Sequence, residues 1–84
     1  MRGGVSKATR TPSAAPRADT LTEQAYFRLE EMIVTLALAP GAVLSEQALS
    51  AELGIGRTPI REAIQRLARE HLIVILSQGG LLVP

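Results

Sequence analysis

"EQALSAELGIGRTPIREAIQ", Glu46 to Gln65, is the stretch that decides the fold. It reads as a helix, a three-residue turn and a second helix. Ser45, just ahead of it, is a good N-cap, because its hydroxyl can accept from a backbone N–H that a first helical turn leaves unpaired. Ala48, Leu49 and Leu53 give the helix from Glu46 to Leu53 an apolar face. Gly54 suits the left-handed position just past a helix end, and Ile55 lies in the turn. Pro59 falls in the first turn of the next helix, where its missing N–H has no intrahelical partner to lose. That helix is expected to run to about Glu70. Small Ser50 lies where the two helices approach. The spacing is that of a helix-turn-helix over about 46–65, a motif whose second helix enters the DNA major groove.

A helical wheel at ~100° per residue divides the second helix into two faces. With Ile60 as reference, Ala63, Ile64, Leu67 and His71 fall within about 60° of it, a core-facing stripe. Thr58, Arg61 and Gln65 group at roughly 100° to 160°, with Arg57 at the edge between the sets. Arginine can read guanine bidentately and glutamine can read adenine. The N-terminus of the helix favours phosphate. A plainer reading of the same residues is a solvated surface on which Arg57 and Arg61 pair with Glu62 or Glu52. Arg66 and Arg69 point elsewhere, solvated or near the DNA backbone. His71 reads as a partly buried residue favoured by the helix dipole rather than as a ligand.

Upstream, "TLTE" opens a first helix, with Thr20 and Glu23 at capping-box spacing. Ala25, Leu29, Met32, Ile33 and Leu36 form its apolar stripe, and Ala39-Pro40-Gly41 is expected to end it. Tyr26 and Phe27 read as packing residues. "AVLS", residues 42–45, is a short extended connector good for a single β-bridge. Downstream, "LIVIL-SQGG-LLV" reads as a β-hairpin over about 72–83, turning at Gly79 and Gly80. The first 18 residues contain Arg2, Lys7, Arg10 and Arg17 and no acid, a sum of +4. Rich in Gly, Ser, Thr, Pro and Ala, they are expected to be a disordered basic arm, with a transit peptide as rival. Residues 19–84 carry five arginines against eight acids, a sum of −3.

Composition narrows the function classes. There is no cysteine and one histidine, so neither a disulfide nor a structural zinc site is expected. No cofactor, metal site or catalytic constellation is read from the sequence, and an enzyme is the least favoured class. No apolar run approaches the ~20 residues of a membrane span. A cytoplasmic location is expected.

"PGAVLSEQALSAELGIGRTPIREAIQRLAREHLI", residues 40–73, resembles the N-terminal DNA-binding domain of the GntR family of bacterial transcription regulators. The resemblance rests on Pro40-Gly41, Leu44-Ser45-Glu46, Leu49-Ser50, Leu53-Gly54, Arg57 to Ala63, Leu67 and Leu72, and covers about residues 20–83. The "LSE…RTPIREA" wording is similar to the branch with an all-helical effector domain of the FCD type. The resemblance implies a mainly α fold with a small β-hairpin, the winged helix-turn-helix, and sequence-specific binding of double-stranded DNA. It implies DNA contacts by Arg57, Thr58 and Arg61, by Gln47 early in the preceding helix, and by Gly80 at the tip of the wing; Gln65 joins them from the wheel. It also implies that these 84 residues are a fragment or truncated product of a longer protein, which would bind a palindromic site as a homodimer through an effector domain. The sequence departs from the family pattern at Gly56, usually Ser or Thr, at Leu36 and His71, where glycine is frequent, and at Gly79, which often has a cationic counterpart. From His71 to Pro84 there is no formal charge, so the wing is unusually apolar. A winged-helix protein-interaction module and a non-functional truncated remnant are the rival readings.

Overall fold

A computed structural model describes residues 20–84; the expected basic arm lies outside the described residues. The order is helix α1 (Leu21–Val34), strand β1 (Val43–Leu44), helix α2 (Glu46–Leu53), helix α3 (Arg57–Arg69), strand β2 (Val74–Ile75) and strand β3 (Leu81–Leu82). Two of the three helices begin at a hydroxyl cap. The Thr20 side chain accepts from the Glu23 N–H, and Ser45 Oγ accepts from the Ala48 N–H, each at 3.0 Å. Helix α3 begins at Gly56, which has no side chain to offer, so that end lacks such a bond.

All three helices run into a left-handed residue. At the end of α2 it is Gly54, with φ +68°. At the end of α3 it is His71, with φ +64°. There the His71 N–H bonds Ala68 O at 3.0 Å and the Leu72 N–H bonds Leu67 O at 2.9 Å, the paired bonds of a Schellman ending. At the end of α1 it is Leu36, also at φ +64°. This corrects two expectations. Helix α1 stops at Val34, ahead of the Pro-Gly corner, and Leu36 is exposed rather than part of the apolar stripe. His71 is likewise turned out into solvent and leaves the core-facing stripe of α3. A helix wheel assumes that the helix continues; a left-handed residue reverses the chain and voids its phase.

The core is one cluster. Ala25, Tyr26 and Leu29 of α1 meet Leu49 and Leu53 of α2, Ile55 of the turn, and Ile60, Ala63, Ile64 and Leu67 of α3. Ile73 and Leu81 close it from the sheet side. Leu29, Ile60, Ile64, Leu67, Ile73 and Leu81 are its largest fully buried side chains. Burying a side chain of this size contributes roughly 1.5–3 kcal/mol. The two helices of the motif are locked at their turn, where Ser50 Oγ donates to Ile55 O at 2.5 Å. Arg28 of α1 reaches across to donate from Nη1 to Leu53 O at 2.9 Å, satisfying a carbonyl that the end of α2 leaves open.

The wing has three strands, not two. β3 lies between β1 and β2 and is antiparallel to both, with Val43 and Val74 opposite Leu82, and Leu44 and Ile75 opposite Leu81. The connector expected to form a bridge is therefore an edge strand. It is fixed further by Gly41 N–H to Val83 O at 2.7 Å and Val83 N–H to Ala42 O at 3.0 Å. The hairpin turns at Leu76 to Gly80, with the Gly79 N–H donating to Leu76 O. Gly79 takes the left-handed backbone there, φ +92°.

Candidate nucleic-acid interface

The buried stripe of α3 decides which way its polar residues face. Ile60, Ala63, Ile64 and Leu67 point into the core, so Arg57, Thr58, Arg61 and Gln65 are left on the solvent side, all exposed. Gln47, in the first turn of α2, is exposed as well. The structure thus brings five of the six sequence-derived site residues to the exposed surface of the motif. Gly80 differs. It is half-buried, and a Cβ there would sit 3.3 Å from Val43 Cγ1 and 3.4 Å from Leu76 Cδ1. The exposed tip of the wing is Ser77, Gln78 and Gly79.

One participant escaped the sequence reading. Arg61 and Arg57 do pair with a carboxylate, but it belongs to Glu46, at the start of α2. Arg61 Nη2 lies 3.2 Å from Glu46 Oε1, and Arg57 Nη2 lies 4.0 Å from the same oxygen. Glu62 is engaged elsewhere, accepting from Thr22 Oγ1 at 2.6 Å. The 15-residue separation of Glu46 and Arg61 matches no helical repeat. Only the crossing of two helices at a turn brings them together. As an ion pair on a wet surface it contributes at most about 1 kcal/mol to stability.

The far end of α3 is held by a different set. The Arg66 guanidinium lies over the Tyr26 ring, 3.8 Å from its centroid, and Arg66 Nε lies 3.6 Å from Glu70 Oε2. Tyr26 donates its hydroxyl proton to Glu70 Oε1 at 2.5 Å. That hydrogen bond, then burial, then the nearby Glu30 charge push the Tyr26 hydroxyl up to about 12. Arg66 is therefore committed to packing α3 on α1.

Among the described residues no group of three His, Cys, Asp or Glu side chains converges as a metal site. No described helix is long and apolar enough to cross a membrane.

Three helices, a Schellman-ended turn and a three-stranded wing define a winged helix-turn-helix domain. Residues 21–83 match the model of the family described as bacterial regulatory proteins, gntR family. An uncharacterized HTH-type transcriptional regulator in an unstable DNA locus of Streptomyces ambofaciens is 47% identical over 55 residues, 66% of this chain and 23% of that protein. The HTH-type transcriptional repressor RspR of Escherichia coli K12 is 40% identical over 60 residues, 71% of this chain and 26% of that protein. Among solved structures, E. coli McbR/YncC superposes with a TM-score of 0.71 at 34% identity, over 77% of this chain and 31% of its own. The chain belongs to the gntR family of bacterial regulatory proteins. It spans about a quarter of the length of the curated relatives it matches.

Proposed function

We propose that the chain binds double-stranded DNA sequence-specifically and serves in transcription regulation. The observation that carries this reading is the set of four polar side chains, Arg57, Thr58, Arg61 and Gln65, exposed together on the helix that a helix-turn-helix lays in the major groove. Arg61 and Arg57 read guanine edges, Gln65 reads adenine, and Thr58 and Gln47 contact the backbone or bases. The open N-terminus of α3 faces a phosphate. The wing reaches the adjacent minor groove through Ser77 to Gly80. A longer protein containing this domain binds as a homodimer to a palindromic operator with half-sites about one helical turn apart, in the cytoplasm.

Residues 20–84 carry five arginines against seven glutamates, so binding by the domain is weak and strongly salt-dependent. The test is a band-shift series at low salt with duplexes selected from a random pool. Arg61→Ala is expected to weaken binding to the selected duplex by ~10- to 100-fold and to a shuffled duplex by far less. Equal loss on both would reduce Arg61 to a phosphate contact, and no shift with any duplex would end the DNA reading.

The second reading, a protein-contact module, draws on the apolar face of the wing on which Val43 and Val74, both opposite Leu82, are exposed. A bound partner that survives nuclease treatment and is lost with Val74→Ser would favour it.

A further inference from the structure

Glu46 stands out because it is an acid on the surface proposed to meet a polyanion. Its geometry is specific. Oε1 accepts from Arg61 Nη2 at 3.2 Å and from Arg61 Nε at 3.3 Å, and Oε2 lies 3.4 Å from the same Nε. Arg57 Nη2 lies 4.0 Å from the same Oε1. The Glu46 side chain is 24% exposed, whereas those of Arg57 and Arg61 are 59% and 55% exposed. The carboxylate is therefore the more covered partner, and both arginine side chains keep more than half of their surface open to solvent. It engages the Nε–Nη2 edge of Arg61, so the Nη1 side and the outward hydrogen of Nη2 remain free to form a parallel pair.

Two consequences follow from elementary electrostatics. Gripping one edge fixes the plane of the guanidinium, and a bidentate contact with guanine needs a fixed plane. The carboxylate also cancels one positive charge on the face. A phosphate, carrying a full negative charge, is repelled by Glu46 and competes with it for the same arginines. A guanine edge, carrying only partial charges at N7 and O6, can be read while the pair stays intact. We infer that Glu46 is a specificity-determining positioning residue, whose carboxylate aims Arg61 at base edges and suppresses its capture by phosphates. The inference rests on the DNA-reading function proposed above.

A simpler role exists for an acid at this place. The first turn of a helix favours negative charge whatever lies beyond it. That role needs the charge but not the reach to Arg61, and Glu46→Asp separates the two. Aspartate keeps the charge and is one methylene too short to hold the fork.

The experiment is fluorescence anisotropy on the 84-residue chain, with a duplex selected from a random pool and a shuffled duplex of the same composition, across a salt series. Glu46→Gln is expected to bind the shuffled duplex ~3- to 10-fold more tightly, with a salt slope steeper by about one phosphate, and to lose ~10-fold in discrimination. Glu46→Asp is expected to keep the affinity for the shuffled duplex and yet lose discrimination by ~3-fold or more. In an Arg61→Ala background, replacing Glu46 is expected to change discrimination no further. Discrimination held within about twofold by both Glu46 variants would overturn the inference, as would an undiminished effect of Glu46→Gln without Arg61. If Glu46→Gln loses its helical circular dichroism, Glu46→Asp alone decides. A wild-type chain that cannot tell the selected duplex from the shuffled one would instead sink the DNA reading beneath it.

Discussion

Helix α3 and the wing are neighbours in sequence but meet solvent in opposite ways. Along α3, buried Ile60, Ala63, Ile64 and Leu67 alternate with exposed Arg57, Thr58, Arg61 and Gln65, so each polar side chain is aimed by an apolar one. The wing buries Ile73, Leu81 and Val83, exposes Val74 and Ile75, and has strands of two residues with no charge among them. The helix can therefore fix the direction of donors and acceptors. The wing can offer mainly a narrow loop and backbone groups. In the DNA-binding function proposed above, sequence discrimination would belong to the first, and the second would add contact that depends little on which base is present.

The largest way to break this contrast is to loosen the helix from its core. Ile60→Ala is expected to destabilise the domain by about 3 kcal/mol, read as a fall in the urea midpoint, because a fully buried side chain leaves a cavity at the junction of all three helices. Next comes the tie between α3 and α1. Tyr26 holds its proton to about pH 12 in the folded state, above its ordinary value of 10.0. Its contribution is then fully present below pH 10 and is lost as pH rises from 10 towards 12. Thermal melts across that window should show a fall that Tyr26→Phe abolishes; an equal fall in the variant would place the titration elsewhere.

The hinge between the two regions gives a smaller effect of opposite sign. His71→Gly removes the steric penalty of a left-handed side chain, set against the greater freedom of glycine in the unfolded chain. A net gain of about 0.5–1 kcal/mol is expected in chemical denaturation, and a loss would mean that the imidazole makes up for its backbone. The smallest effect tests the wing directly. Gln78→Ala, at its exposed tip, is expected to weaken DNA binding less than ~3-fold and equally on selected and shuffled duplexes, against the selective loss from Arg61→Ala. A selective loss from Gln78→Ala would overturn the division of labour.

The features legible in the sequence were those encoded by neighbours. Ser45 and Gly54 bracket α2, and its bounds are as expected because both signals act within one turn of the helix end. The two faces of α3 were legible for the same reason, since four apolar positions set the phase. The end of α1 and the place of His71 were not, because the backbone takes a glycine-like turn at residues that are not glycine. β1 was legible as an extended connector good for a bridge, but not its partner, which lies at the other end of the domain. Glu46 drew no notice as a partner of Arg61 because the crossing angle of α2 and α3 is a tertiary fact. Sequence patterns told which residues face out. They did not tell what those residues hold.

The central position of β3 has a kinetic consequence. Its partners in β2 are a tight turn away, but its partners in β1 lie about forty residues back along the chain. Closing so long a loop costs entropy before any contact rewards it, whereas α2, its turn and α3 need only local contacts. On refolding, α3 should form while the strand that clamps the wing is still searching. Pulse-labelled hydrogen exchange would show this as early protection of the Ile64 amide and late protection of the Val83 amide. The domain would then complete its helix-turn-helix before its wing.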